Sequence, residues 1–185
     1  DLVRSRGLGD VYKRQDYKHT GEISTDQLKS LGVEYSIIGH YERVRDFNEN
    51  AVIINNKLIA ALDANIFPIL CFGENIDDDY HETIPKILDK YLKDVENIEF
   101  IIFAYEPIFA IGTGGLPNRK RIEEVISFVN EYLEDKYKKK PNLLYGGSVD
   151  SSNINDIINI EGINGVLVGD ISSNIKEVER IIQGV

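Results

Sequence analysis

Residues 100–115 read FIIFAYEPIFAIGTGG, an apolar run that leads through a carboxylate into a glycine-rich stretch. The first residues are all apolar, which is typical of a strand in a parallel sheet that is buried on both faces. Glu106 stands just past this run, where a carboxyl group loses contact with water. Desolvation raises the pKa of such a group toward the range of a general base. Glu106 is therefore a candidate catalytic base, with a salt-bridged structural glutamate as the alternative interpretation.

Four more mostly apolar runs flank this stretch, at residues 35–39, 67–72, 142–146 and 165–169. Between the runs, apolar residues recur at the i, i+3, i+4, i+7 spacing of helices with one buried face. These helical patterns cover residues 54–62, 84–95, 122–133, 154–158 and 175–182. The alternation predicts an α/β protein with a parallel sheet. It fits both part of a barrel and a doubly wound sheet, and both folds place binding groups at the carboxyl ends of the strands.

The ends of these runs carry a histidine and several glycine-containing turns. His40 follows the first run, where an imidazole can polarise a carbonyl group or move a proton, although a hydrogen-bonded structural histidine fits as well. Segments 146–148 and 169–170 each precede a helical pattern, and main-chain N–H groups at helix N-termini favour an anion. A barrel commonly binds phosphate after its last two strands. The glycine-rich segment 112–115 matches no nucleotide-binding fingerprint and is either a flexible loop or a lid.

Composition limits the partners of the chain. The net charge of −10 argues against nucleic acid or an acidic membrane as a partner. No apolar run approaches the roughly 20 residues that cross a bilayer. The single cysteine, Cys71, cannot form an internal disulfide, which indicates a cytoplasmic setting. Residues 1–15 hold four Lys and Arg against two Asp, so they carry +2, and they show no periodicity. We expect this segment to be non-native or disordered, with the domain in residues 16–185.

Four segments resemble the triosephosphate isomerase family. Its Tyr-Glu-Pro strand end with an Ala-Ile-Gly-Thr-Gly lid is matched by AYEPIFAIGTG at 104–114. Its Gly-His-x-Glu-Arg, Pro-Ile-x-Cys-x-Gly-Glu and Tyr-Gly-Gly-Ser-Val motifs are matched at 39–43, 68–74 and 145–149. The resemblance covers residues 19–185. It implies an incomplete TIM (β/α)8 barrel of about five βα units, corresponding to strands 4–8, so we expect an N-terminally truncated member.

The resemblance also implies a reaction and a set of site residues. The family interconverts dihydroxyacetone phosphate and D-glyceraldehyde 3-phosphate in glycolysis and gluconeogenesis, without cofactor or metal. Glu106 would move the proton through an enediolate, and His40, kept neutral near a helix N-terminus, would polarise the carbonyl group. Segment 107–114 would close as a lid. The phosphate would be held by the main-chain N–H groups of Gly112, Ser148, Gly169 and Asp170. Residues 19–22 resemble the loop tip that inserts into a second subunit, which implies a homodimer.

Departures from the family pattern bear on activity. No strand ending in Asn-x-Lys, the source of the family's only cation in the site, stands before Thr20. Tyr41 replaces the usual Ser, Phe109 the usual Trp, and Asp170 a second Gly. We therefore expect this 185-residue chain to be inactive or poorly soluble. Two other interpretations stay open: a non-catalytic phosphate-binding module or pseudoenzyme, and a doubly wound binding domain. The isomerase prediction requires that His40 and Glu106 converge on one cavity.

Overall fold

The structure is a computed structural model that describes residues 23–111 and 117–184. Its five strands are all parallel and hydrogen-bonded in sequential order. They are β1 (Tyr35–Ile38), β2 (Phe67–Phe72), β3 (Ile102–Tyr105), β4 (Asn142–Tyr145) and β5 (Gly165–Val166). A doubly wound sheet reverses its strand order at a switch point, whereas a barrel keeps neighbours in chain order. The predicted barrel architecture is confirmed, and the doubly wound alternative is wrong.

Seven α-helices and three short 3₁₀ helices connect and cover the strands in the described part of the chain. The α-helices are α1 (Thr25–Ser30), α2 (Tyr41–Phe47), α3 (Ala51–Asp63), α4 (Tyr80–Tyr91), α5 (Arg119–Tyr137), α6 (Ile154–Ile158) and α7 (Ile175–Gln183). The 3₁₀ helices are Ile98–Phe100, Ile108–Ala110 and Asp170–Ser173. The helical periodicity predicted α3 to α7 and missed α1 and α2. A capping box between Ser24 and Gln27 starts α1.

Two of the predicted strands differ from the observed ones by more than one residue at an end. The third run begins as a 3₁₀ turn, because the Ile101 amide donates to Ile98 O at 2.9 Å instead of joining the sheet. The strand therefore starts at Ile102 and includes Tyr105. The last run pairs only at Gly165–Val166, because the chain turns into the 3₁₀ helix that begins at Asp170.

The hydrophobic core lies between one face of the sheet and helices α3, α4 and α5. Its fully buried side chains include Ile54, Leu58, Leu70, Ile84, Leu88, Phe103, Ile126 and Leu143. The other face of the sheet keeps contact with water: Tyr35 and Phe67 are 45% and 40% exposed, with their rings stacked 5.4 Å apart. Burial on both faces, expected from the apolar runs, holds for Leu70–Phe72 of β2 and Phe103–Tyr105 of β3, where consecutive residues are buried. It does not hold at the exposed amino-terminal residues Tyr35 and Phe67. The five described strands form an open sheet.

Several expectations lie outside the described residues. They concern the segment 1–15, the loop tip at 19–22, and the glycine-rich segment 112–115 with its phosphate-binding candidate Gly112. They stay predictions.

Candidate active site

His40 and Glu106 come together at the carboxyl edge of the sheet. His40 lies two residues after β1, and Glu106 directly follows β3. Nε2 of the imidazole is 3.5 Å from Oε1 of the carboxylate. Strand β2 lies between β1 and β3, so the two side chains meet across its end. The residue just after β2 is Gly73, which has no side chain to separate them.

The carboxylate of Glu106 is held in a nearly dry environment. The residue is only 2% exposed. Its Oε2 accepts a long hydrogen bond from the Tyr41 amide at 3.4 Å, and its Oε1 has no hydrogen-bond partner in residues 23–111 and 117–184. Burial raises the pKa of Glu106, against the opposing effects of His40, the Cys71 thiol and the Tyr41 amide. A carboxyl group with a raised pKa and an unused oxygen is suited to take up a proton.

The orientation of His40 follows from its place at the start of α2. It is the N-cap of this helix, and its Nδ1 accepts from the Glu42 amide at 3.4 Å. In a neutral imidazole with Nδ1 as acceptor, the proton resides on Nε2. The Nε2–H group therefore faces Glu106 and is placed to donate to an oxygen atom in the same space.

Two glycines shape the position of Glu106, a role that the sequence analysis did not assign to them. A Cβ at Gly73 would lie 1.8 Å from the main-chain oxygen of Glu106. A Cβ at Gly146 would lie 2.9 Å from Cγ of Glu106. A side chain at either position forces the strand end or the carboxylate to move. In the sequence, Gly73 directly follows the apolar run at 67–72, and Gly146 ends the run at 142–146.

Cys71 is a second unassigned neighbour of Glu106. It is fully buried in β2 and is a free cysteine. Burial first, and then the nearby Glu106 carboxylate, raises the pKa of its thiol. A thiol with a raised pKa stays protonated and is a poor nucleophile.

Three of the predicted phosphate-binding residues lie after β4 and β5. Ser148 donates its hydroxyl to Ala110 O at 2.8 Å, while its own amide has no partner in the part of the chain that the structure describes. The amides of Gly169 and Asp170 likewise have no acceptor among the described residues. The expectation that both turns directly precede a helix is wrong for Ser148, since α6 starts only at Ile154. Its amide is an individual donor rather than part of a helix N-terminus.

A buried ion-pair cluster places α2 and with it His40. No residue of α2 is buried, so apolar packing does not hold this helix. Instead Arg43 Nε and Lys57 Nζ each lie 2.6 Å from Oε1 of Glu49. Glu49 and the Lys57 side chain are both 4% exposed. This cluster was not predicted, because the spacing of charged residues along the sequence does not show which of them are buried.

Parallel strands in barrel order, with a histidine and a dry carboxylate at their carboxyl ends, define an α/β-barrel protein with an acid–base site. The triosephosphate isomerase family model matches residues 6–185. A triosephosphate isomerase of Alkaliphilus oremlandii is 36% identical over 186 residues, covering 95% of this chain and 75% of that protein. One of Alkaliphilus metalliredigens is 39% identical over 173 residues, covering 88% and 70%. One of Ehrlichia chaffeensis is 37% identical over 180 residues, covering 96% and 72%. The chain belongs to the triosephosphate isomerase family, a family of isomerases.

Membrane-spanning helices and metal sites are two other features that bear on function. No helix among the described residues is long and apolar enough to cross a membrane. Within residues 23–111 and 117–184, no three His, Cys, Asp or Glu side chains form a group that could hold a metal ion.

Proposed function

We propose that this site interconverts dihydroxyacetone phosphate and D-glyceraldehyde 3-phosphate by moving one proton between neighbouring carbons. The observation that carries the proposal is the 3.5 Å approach of His40 Nε2 to the buried Oε1 of Glu106. Membership of the triosephosphate isomerase family supports it independently.

Each group has one chemical task. Glu106 takes a proton from the carbon beside the substrate carbonyl, and the electron pair of that C–H bond forms the enediolate. His40 donates a hydrogen bond from Nε2 to the oxygen on which negative charge develops. The hydroxyl proton of the enediolate passes to the neighbouring oxygen, a transfer that the Nε2–H group of His40 is placed to mediate. The carboxyl group then returns the carbon-bound proton to the adjacent carbon, so that no atom is gained or lost. The reaction needs neither a cofactor nor a metal ion.

The phosphate group of the substrate is assigned to main-chain donors. The amides of Ser148, Gly169 and Asp170 are available for it, and Gly112 is the fourth predicted donor. Neutral amides suit a chain whose net charge is −10, since they bind an anion without a cationic side chain. The carboxylate of Asp170 repels the phosphate and weakens this binding.

We infer that the 185-residue chain is a weak catalyst. None of the five described strands ends in Asn-x-Lys, and loss of one preorganised electrostatic group lowers the rate by about 10²–10³. The described sheet is also open, with apolar side chains such as Tyr35 exposed on one face. Open strand edges promote association of chains, which supports the prediction of poor solubility.

Two finer proposals concern the setting of the protein. A free, buried Cys71 supports a reducing, cytoplasmic compartment. The resemblance of residues 19–22 to a subunit-inserting loop supports a homodimer. Light scattering on the purified chain tests the second proposal, and a strictly monomeric species contradicts it.

The test is to measure isomerisation and phosphate binding in three proteins: the chain, Glu106→Gln and His40→Gln. We expect weak turnover that falls by about 10²–10⁴ in Glu106→Gln, the contribution typical of a general base. Glu134→Gln is the control, since this residue lies at an exposed position of α5, a helix that does not carry the site residues. Turnover that survives in Glu106→Gln refutes the assignment of the base. Phosphate binding without any turnover favours the non-catalytic phosphate-binding module, and near-native turnover contradicts the weak activity.

A further inference from the structure

Glu74 carries a fully enclosed carboxylate two residues beyond β2. Its side chain has 0% exposed surface. Oε1 accepts from the Tyr105 hydroxyl at 3.0 Å and from the Arg121 guanidinium at 2.9 Å. Oε2 is buried and has no partner among the described residues. A buried carboxylate is stable only when paired, and Arg121 is the cation that the structure places on it.

The main chain around Glu74 lies against the segment that carries the proposed base. The Glu106 amide donates to Phe72 O at 2.8 Å, and the Ile108 amide donates to Glu74 O at 3.1 Å. Between these two bonds, Gly73 approaches so closely that a Cβ would overlap the Glu106 main-chain oxygen. The ends of β2 and β3 are therefore one packed unit, and a shift of Glu74 moves Glu106.

Arg121 reaches this unit from another part of the chain. It is the third residue of α5, and its guanidinium also lies 4.2 Å from the centroid of the Tyr80 ring at the start of α4. Glu74 holds Ile108 with its main-chain oxygen and Arg121 with its side chain. The segment after Glu106 and helix α5 are therefore both anchored on Glu74.

We propose that Arg121 is a positioning residue for the proton transfer: through Glu74 it holds the end of β3 so that Glu106 faces His40. The inference rests on the proposed function, because it takes Glu106 as the base. Arg121 itself does not touch the substrate. Without the guanidinium, the Glu74 carboxylate is left with the Tyr105 hydroxyl alone, and it moves toward water, which displaces its own main chain.

The experiment compares Arg121→Gln and Arg121→Lys with Arg119→Gln. Arg119 is a matched control, since it lies in the same first turn of α5 and forms an exposed ion pair with Glu123. Amide hydrogen exchange is measured at Ile108, which reports the bond to Glu74, and at Val129, a buried α5 residue that reports the whole fold. kcat and KM are measured on the same proteins.

We expect the Ile108 amide of Arg121→Gln to exchange about tenfold faster or more, as for loss of a charged hydrogen bond, with Val129 unchanged. kcat should fall by about ten- to a hundredfold with KM nearly constant, because the reacting groups are misplaced. Arg121→Lys should restore much of both, and Arg119→Gln should change neither. Faster exchange at Val129 to the same extent, or no change at Ile108, overturns the proposal.

Two further results keep the test decisive. If Arg121→Gln does not fold, the double variant Glu74→Gln/Arg121→Met removes both charges, and faster exchange confined to Ile108 still supports the proposal. Unaltered exchange at Ile108 in that folded variant refutes it. The proposed function fails in a different experiment. Turnover that survives in Glu106→Gln refutes Glu106 as the base, and it does not change the exchange rates measured at Ile108 in the Arg121 variants.

Discussion

Replacing Glu106 with glutamine should make the protein more stable while removing its chemistry. The carboxylate is 2% exposed, and its Oε1 has no hydrogen-bond partner among the described residues. A buried group without a partner costs about 1–3 kcal/mol and more when it is charged, so the neutral amide of glutamine costs less than the carboxylate. The Tyr41 amide, the Cys71 thiol and His40 offset part of that cost, which leaves a gain of about 1–2 kcal/mol on removing the charge. For a chain of this size the melting temperature should rise by about 2–8 °C.

The gain should depend on pH with a defined sign. A glutamate in an unfolded chain has a pKa of about 4.3. Burial raises the pKa of Glu106 above this ordinary value in the folded chain. The unfolded chain therefore ionises first, and stability falls as pH rises from the unfolded pKa to the raised folded one. Glutamine has no such loss. The advantage of Glu106→Gln should therefore be larger at pH 7 than at pH 4, and it should disappear below about pH 4.

Thermal unfolding followed by circular dichroism at pH 4, 5.5 and 7 measures this difference. Glu134→Gln, at an exposed position of α5, is the control and should leave the melting temperature unchanged. Glu106→Leu, which introduces no polar atom, should show the same sign as Glu106→Gln. If both Glu106 variants melt at or below the parent at pH 7, or if the gain is the same at pH 4, burial does not penalise this charge and our reasoning is wrong.

Three other changes test the surroundings of the site. Glu49→Gln should lower the free energy of unfolding by about 3–5 kcal/mol in urea, because the buried ion pairs of Glu49 with Lys57 and Arg43 are both lost, and a loss below about 1 kcal/mol contradicts this. Gly146→Ala should reduce residual turnover by about ten- to a hundredfold, since its methyl group would crowd Cγ of Glu106, and unaltered turnover contradicts that contact. Asp170→Gly should tighten inorganic phosphate binding by about two- to fivefold in calorimetry at low salt, and weaker binding means that the carboxylate is not near the anion.

A strand was predictable where a clear signal bounds it. β2 was predicted with its observed bounds, since a turn at Asn65 precedes its apolar residues and Gly73 follows them. Parallel strands share one carboxyl edge, which is why His40 and Glu106 could be expected to lie together. The start of β3 was not predictable, because an apolar residue such as Phe100 fits a 3₁₀ turn as well as a strand.

Other features depend on tertiary contacts that no local pattern shows. Helix α2 has no buried residue and hence no hydrophobic period. It is held by polar contacts, among them its His40 cap, the Tyr41 amide on Glu106 and the pairing of Arg43 with Glu49. The chain holds 31 acidic and 21 basic residues, and nothing in their spacing selects Glu49 or Glu74 as the buried ones. Charge pairing of this kind is decided when the elements pack.

The site is the place where the chain departs from the rules that stabilise the rest of the fold. Most of the core is filled by apolar side chains such as Leu70 and Phe103, with no exposed surface, and the buried Glu49 and Glu74 are paired with cations. At the carboxyl edge, the core contains the Glu106 carboxylate, whose Oε1 has no hydrogen-bond partner among the described residues. Gly73 and Gly146 leave room for it because they have no side chains. A sequence selected for stability alone would place an apolar residue there, because such a residue needs no hydrogen bond. Retention of a costly charge where His40 can reach it is therefore an argument for proton transfer that does not depend on the family motifs.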